Sequence, residues 1–313
     1  MPLSQAEMIV DRRQLTRRLL RWRMFAVLIA LVAFGAYFWG SGDVSKYSDH
    51  IARIHIDGLI TGDEPTIKML EEIAESDRVK ALVIRIDSPG GTTAGSEAVY
   101  NEIRKIAKVK PVVAVMDTVA ASGGYITAIA ADYIVARGNT ITGSIGVIFS
   151  FPEVSKLLET LGIRMEEIKS AELKAEPTPY KPMSDHVRSV TNDMVQESFA
   201  WFKGLVAERR KLSAERVATL ADGRVYSGRQ AVTEKLIDAL GGEDEAVKWL
   251  QSERKISSKL ELVNWTRSKR DDLGGLGFTI SDIVLNALGF DGLKQKMDAA
   301  RLDGMLVLWH PQL

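Results

Sequence analysis

The chain has 313 residues, with 41 basic and 41 acidic side chains, no cysteine and 46% hydrophobic residues. The lack of cysteine excludes disulfide scaffolds, cysteine peptidases, iron–sulfur proteins and thiolate zinc sites. The hydrophobic content is that of a globular chain rather than a disordered one. Because the formal net charge is zero, no overall field attracts nucleic acid, and we expect no nucleic-acid partner.

An uncharged segment at residues 24–40, MFAVLIALVAFGAYFWG, predicts a transmembrane anchor. As a helix, its 17 residues would span about 25 Å, which is short but adequate for a bilayer. Six arginines lie before it in residues 1–23, so the positive-inside rule predicts a cytoplasmic N-terminus and an extracytoplasmic body. A cleaved signal peptide and a buried core helix are the alternatives, although 23 residues make a long basic region for a signal peptide.

Apolar and helical patterns alternate after a polar linker at residues 41–49. Two segments, 65–76 and 93–108, have helical patterns, and residues 190–206 predict an amphipathic helix packed on the sheet. Strands are predicted where short apolar runs are bounded by turn residues, at 51–57, 79–87, 111–116 and 145–149. This alternation predicts an α/β architecture.

The second predicted strand leads into the sequence Asp87-Ser88-Pro89-Gly90-Gly91, which is typical of a sharp turn. Its glycines would let the backbone approach a ligand closely, and their amides could point at an oxyanion. Such turns are usually structural, so the motif alone carries little functional information.

The sequence Ala121-Ser122-Gly123-Gly124-Tyr125 stands between a predicted strand and an apolar helical run. Small neighbours leave the Ser122 hydroxyl accessible, and unpaired amides at a helix N-terminus suit a developing oxyanion. The sequence therefore allows Ser122 to be a nucleophile. Serine is also a preferred helix-capping residue, so a purely structural role remains an alternative.

A nucleophilic serine needs a base, and the chain has only four histidines, at positions 50, 55, 186 and 310. None has an obvious triad context, although His186 stays a candidate because triads assemble in space. A proline-rich segment offers lysines instead, namely Lys169, Lys174 and Lys181. A lysine base must be neutral, and lowering a lysine pKa by about three units requires burial worth about 4 kcal/mol. Ser144, in the sequence Thr142-Gly143-Ser144-Ile145-Gly146, could orient such an amine or could be a turn hydroxyl.

Five motifs in this order resemble the signal peptide peptidase A family over residues 50–250. They are D-S-P-G-G, A-A-S-G-G-Y, T-G-S-I-G-V, I-K-S-x-x-x-K and the run from Ala221 to Ala231, A-D-G-R-V-Y-S-G-R-Q-A. The last run has no obvious chemistry, and we interpret it as a turn and a helix start. The resemblance implies an α/β fold of the crotonase and Clp-protease kind, a ββα superhelix.

The resemblance also implies a serine–lysine dyad and roles for single residues. Ser122 would be the nucleophile, Lys174 the general base and Ser144 the residue that orients the base. The backbone amides of Gly91 and Gly123 would form the oxyanion hole. No metal and no cofactor are expected.

The activity implied by the resemblance is that of a membrane-anchored serine endopeptidase that degrades remnant signal peptides. The chain would form a homo-oligomer in which the serine of one subunit meets the lysine of the next. Its location would be the inner (plasma) membrane, with the catalytic domain in the periplasm. A crotonase-type enzyme acting on coenzyme A thioesters and a catalytically silent membrane scaffold are the alternatives.

Residues 251–313 form a C-terminal extension whose role the sequence does not assign. Glycines at 274, 275 and 277 predict a hinge before a last helical segment. The apolar tail MLVLW, residues 305–309, is suited to add as a strand, and our hypothesis is that it lies along a substrate groove.

Overall fold

The computed structural model describes residue 18, residues 21–29, residues 46–266 and the backbone of residues 306–308. Two compact units result, Met1–Asp49 and His50–Leu313. In the first unit residues 21–29 are helical (α1), and the rings of Trp22 and Phe25 pack edge to face. None of the helices in the described residues has the length and apolarity needed to cross a bilayer. The predicted anchor at 24–40 lies outside the described residues from position 30 onward.

The second unit is built on one mixed sheet, which confirms the α/β class. β3 pairs in parallel with β2, β2 with β1, and β1 with β8, while β5 joins β3 in parallel and β6 in antiparallel orientation. β4 pairs with β3 and β7, and β9 pairs with β2. The strands are β1 His50–Ile60, β2 Val79–Thr92, β3 Val112–Ala121, β4 Tyr133–Ala136, β5 Ile141–Gly143, β6 Val225–Ser227, β7 Ala239–Leu240, β8 Leu262–Asn264 and β9 Leu306–Leu308.

Helices cover both faces of this sheet. The larger core lies under α2, α3, α4 and α6 and contains the fully buried Ile54, Ile84 and Phe202. A smaller core on the opposite face lies under α9, through Ala246 and Leu250. The helices are α2 Glu64–Glu75, α3 Thr93–Ala107, α4 Gly123–Ile129, α5 Ser155–Thr160, α6 Asp185–Arg210, α7 Ala214–Leu220, α8 Gly228–Thr233 and α9 Glu243–Ser252.

The first three predicted strands are confirmed, but the sharp turn predicted after residue 87 is wrong. β2 continues through Ser88 and the glycines to Thr92. The strand passes this region with a shift of register between Ile86 and Ser88. The Ser88 hydroxyl is bonded at this irregularity, since it donates to the carbonyl of Gly58 at 2.6 Å and accepts from the amide of Gly90 at 3.1 Å.

The strand predicted at 145–149 is also wrong, since the strand at this place is β5, which ends at Gly143. Ser144 has a left-handed backbone with φ of 49°, which ends the extended conformation. The predicted helix at 190–206 is confirmed as part of α6. Only its second half packs as expected, because Phe202 is buried whereas Val190 and Met194 are 43% and 45% exposed.

Two strands from the C-terminal extension join the sheet. β8 pairs with β1, and beyond it the Trp265 indole Nε1 donates to the buried His50 Nε2 at 3.0 Å. β9 runs antiparallel to the end of β2, with Leu308 opposite Gly90 and Leu306 opposite Thr92. The strand expected from the apolar tail is therefore present. The predicted glycine hinge and last helical segment lie outside the described residues.

Candidate active site

Ser122 stands at the junction of β3 and α4, as the sequence predicted. Its backbone has φ of 55° and ψ of −113°, a conformation that is costly for a non-glycine residue and is found at functional sites. The residue is 1% exposed, so the prediction that small neighbours leave its hydroxyl accessible is wrong for the single chain. Although Ser122 is the N-cap residue of α4, its side chain makes no capping hydrogen bond, so the interpretation as a structural cap is wrong.

The Ser122 hydroxyl is buried and has no hydrogen-bond partner among the described residues. An unpaired buried hydroxyl costs about 1–3 kcal/mol relative to a satisfied one. The hydroxyls of Thr66 and Ser96 are in the same state, so this feature alone does not identify a nucleophile.

The short helix α4 behind Ser122 is held at its far end by two arginines. Arg104 donates to the carbonyl of Ala130 at 2.7 Å, and Arg209 donates to those of Ile129 and Ala131 at 2.8 and 2.9 Å. Cations at carbonyl-rich helix ends are stabilising. The sequence analysis missed both arginines, because they lie on other helices, α3 and α6, and carry no local motif.

The N-terminus of α4 packs backbone to backbone against the irregular part of β2. A Cβ atom on Gly124 would lie 2.7 Å from the carbonyl oxygen of Ser88. Ser88 is also the residue that pairs with Ala120 at the end of β3. The ends of β2 and β3 therefore lie side by side, with Gly91 three residues beyond Ser88 and Gly123 at the start of α4.

Ser144 lies beside the nucleophile candidate. The Ser122 amide donates to the carbonyl of Gly143 at 2.8 Å, so the two serines follow residues that are paired in the sheet. Ser144 is 8% exposed, and its amide donates to the carbonyl of Arg224 at 2.8 Å. The structure thus places the backbones of Ser122 and Ser144 side by side.

The three candidate lysines have different surroundings. Lys169 donates to Glu176 at 2.7 Å and lies 2.9 Å from Glu167, and the bond to Glu176, followed by that to Glu167, raises its pKa. Lys181 pairs with the same Glu176 carboxylate at 2.5 Å. Glu176 is only 4% exposed at its side chain, so one nearly buried carboxylate holds two lysines.

Lys174 is the exception in this segment. It lies in a turn between the two lysines that Glu176 holds, its side chain is exposed, and it forms no ion pair within the described ranges. Equally, the single chain does not bury Lys174 or bring it into hydrogen-bond contact with Ser122, whose hydroxyl has no partner.

The segment around these lysines packs poorly on its own chain. α5 contains no buried residue. Large apolar side chains are exposed here, with Ile168 fully so, and they include Leu157, Leu161, Ile163, Met165, Ile168 and Leu173. An exposed apolar surface of this extent is typical of a surface that another molecule covers.

The described histidines do not contact the Ser122 hydroxyl, which has no partner in that part of the chain. His50 is buried and accepts the Trp265 hydrogen bond. His55 lies exposed on β1, and His186 lies exposed in the first turn of α6. His310 lies outside the described residues.

Comparison with known proteins decides the family. The model of "Peptidase family S49" matches residues 104–257. A protein of Enterococcus faecium assigned as a signal peptide peptidase SppA is 31% identical over 301 residues, covering 85% of this chain and 88% of its own length. This chain belongs to peptidase family S49.

Two further relatives of this S49 chain are also proteases by name. The chloroplastic serine protease SPPA of Arabidopsis thaliana is 36% identical over 251 residues, 75% of this chain and 37% of that protein. Protease 4 of Haemophilus influenzae is 32% identical over 207 residues, 63% of this chain and 34% of that protein. The resemblance identified from the five motifs is confirmed, and the chain is a serine peptidase.

Proposed function

We propose that this S49 peptidase is a serine–lysine endopeptidase, with Ser122 as nucleophile and Lys174 of a neighbouring copy as general base. One observation carries the proposal. Ser122 combines a strained junction between strand and helix, almost complete burial and a hydroxyl without a partner. Ser96 is also buried with a hydroxyl unpaired among the described residues, so the strained backbone at the junction is the feature that sets Ser122 apart from it.

The reaction would be acyl transfer. Neutral Lys174 takes the proton of the Ser122 hydroxyl while the serine oxygen attacks the peptide carbonyl. The amides of Gly91 and Gly123 donate to the oxyanion that develops. The lysine then returns its proton to the leaving amine, and water hydrolyses the acyl-enzyme. Ser144, beside Ser122, orients the lysine amine.

Lys174 is the best base of the three lysines because the other two are held by Glu176. Because the Lys174 side chain is exposed in the single chain, a second molecule must exclude water from its amine before it can act as a neutral base. The apolar surface around Lys174 supports a second copy of this chain as that molecule, since the same contact would bury Ile168 and the neighbouring apolar side chains. The active form would then be a homo-oligomer with sites shared between subunits.

The substrates would be remnant signal peptides in the membrane. The name of the Enterococcus faecium relative supports this, as does the arginine-flanked apolar segment at residues 24–40, which would anchor the domain on the extracytoplasmic side. A fold of the crotonase and Clp-protease kind agrees with the mixed α/β sheet.

Activity-based labelling tests the dyad directly. A fluorophosphonate probe should label wild-type protein and should fail to label Ser122→Ala. Lys174→Ala should be labelled at least about 100-fold more slowly, whereas Lys181→Ala and His186→Ala should retain most of the rate. Labelling that survives Ser122→Ala, or that is lost in His186→Ala but not in Lys174→Ala, would show that the proposed dyad is wrong.

A further inference from the structure

The run from Ala221 to Ala231, which has no chemistry of its own, builds the strand next to the proposed catalytic centre. β6 in this run pairs antiparallel with β5, so that Tyr226 lies opposite Thr142 and Val225 lies opposite Gly143. β5 in turn pairs with the end of β3. Only one strand therefore separates the run from Ser122.

Two backbone hydrogen bonds link the three strands at the level of Ser122. The Ser122 amide donates to the carbonyl of Gly143, and the amide of Ser144 donates to the carbonyl of Arg224, both at 2.8 Å. Gly143 and Ser144 both have left-handed backbones, with φ of 84° and 49°. Two consecutive residues in this conformation must be held by their surroundings, because it is unfavourable for Ser144.

The Tyr226 ring packs directly against Gly143. A Cβ atom on Gly143 would lie 2.6 Å from the ring carbon Cδ2, so the ring occupies the space where a side chain at position 143 would begin. The ring is itself fixed, since Tyr226 is 7% exposed and its hydroxyl donates to the carbonyl of Leu220 at 3.1 Å.

The other end of β6 is fixed as well. Ser227 and Gln230 form a capping box at the start of α8, in which each side chain bonds to the backbone of the other residue. The Arg229 guanidinium donates to the side chain of Asn139, in the turn that precedes β5, at 2.6 Å. β6 is thus held at both ends, and it lies next to Gly143 and Ser144.

The geometry points to Tyr226 as a positioning residue for the nucleophile. Its ring keeps Gly143 in the conformation that aims the Gly143 carbonyl at the Ser122 amide, and it places Ser144 beside Ser122. Removing the ring would free the 143–144 backbone and shift Ser122 relative to its base and its oxyanion donors. This inference rests on the proposed role of Ser122.

The test compares Tyr226→Ala with Tyr226→Phe by steady-state kinetics on a peptide reporter, with active sites counted by fluorophosphonate titration. We expect Tyr226→Ala to lower kcat per titrated site by about 10- to 100-fold, since small misplacements of reacting groups have effects of this size. KM should stay within about twofold, because the inference places no part of the ring in substrate binding. Tyr226→Phe keeps the ring and should retain most of kcat.

Tyr133→Ala is the matched control for loss of an aromatic side chain. The Tyr133 ring stacks on Trp249 with centroids 4.8 Å apart, in the core under α9. This control should keep its kcat per titrated site even if its stability falls. If Tyr226→Ala has the wild-type kcat per titrated site, or loses no more than Tyr133→Ala, the inference is wrong. If the wild-type protein is not labelled at Ser122 at all, the proposed function fails instead.

Discussion

A Cβ atom on Gly91 would lie 1.9 Å from the carbonyl oxygen of Ile60, so β1 and β2 meet backbone to backbone at this point. Unlike a clash with a flexible side chain, this contact can be relieved only by moving a strand. The glycine that would donate one of the oxyanion hydrogen bonds is therefore also a residue that the sheet itself requires.

Gly91→Ala should destabilise the fold by about 1–3 kcal/mol, the usual cost of forcing an extra group into packed structure, and should lower activity. Thermal unfolding and fluorophosphonate labelling measure the two effects. Gly204→Ala is the matched control, because a Cβ atom there meets nothing within 4 Å, and alanine inside α6 should stabilise the helix by about 0.5–1 kcal/mol. Equal melting temperatures for the two variants would contradict the prediction.

Glu176→Gln should reduce the dependence of stability on acid pH. The hydrogen bonds from Lys169 and then Lys181 lower the pKa of Glu176 in the folded state. A lowered folded-state pKa contributes stability that is present above the unfolded pKa, about 4.3, and is lost as the pH falls through the folded value. Melting temperatures between about pH 3 and pH 7 should fall less steeply on acidification for Glu176→Gln than for wild type.

Glu166→Gln, at an exposed site on the same segment, is the control and should follow the wild-type curve of melting temperature against pH. Parallel curves for all three proteins would refute the role of Glu176.

Ile168→Asp should impair assembly without impairing the fold of the single chain. Ile168 is fully exposed in one chain, so a charge there costs little on folding, whereas a charge buried without a partner in a subunit contact is strongly unfavourable. Sedimentation should show a smaller particle, and activity should fall with it. Val109→Asp, at an exposed apolar position outside this segment, should leave both unchanged. If the Ile168→Asp protein has wild-type particle size and activity, the surface around Lys174 is not part of a subunit interface.

Truncation after residue 304 should increase the rate at which peptides are cleaved at low concentration. β9 occupies the edge of β2 at Gly90–Thr92, beside the end of β3 that carries Ser122. An extended peptide that reaches Ser122 along β2 would use the same backbone groups, so the two strands compete. We expect kcat/KM to rise several-fold, with kcat nearly constant. Unchanged kcat/KM would show that β9 does not lie where the substrate binds.

The sequence predicted those parts of the fold and site that depend on neighbouring residues. The buried strands β1 and β2 follow from continuous apolar runs, and the position of Ser122 follows from a strand that passes into a glycine-rich helix start. The prediction of a strand at 145–149 was wrong because a single backbone conformation outweighs the local apolar pattern. Its apolar run is real, but the left-handed backbone at Ser144 stops the strand just before it.

Contacts between distant parts of the chain could not be predicted. Arg209 reaches the end of α4 across about 80 positions, and Tyr226 covers Gly143 from a separate strand. The ion pairs of Glu176 with Lys169 and Lys181 join residues that are closer in sequence, yet they depend on how an irregular loop folds back. Such contacts have no periodicity, so only coordinates reveal them.

The hydrogen bond from Trp265 to His50 joins the start of β1 to the end of β8. In the sheet His50 pairs with Val79, whereas Ser88, nine positions further along β2, pairs with Ala120 just before Ser122. At about 3.3 Å per strand residue, the point where the chain enters β1 lies roughly 25–30 Å from the level of the nucleophile. Trp265 fixes the exit from β8 at that same remote end. The start of β1 and the end of β8 therefore lie together at the end of the sheet remote from Ser122.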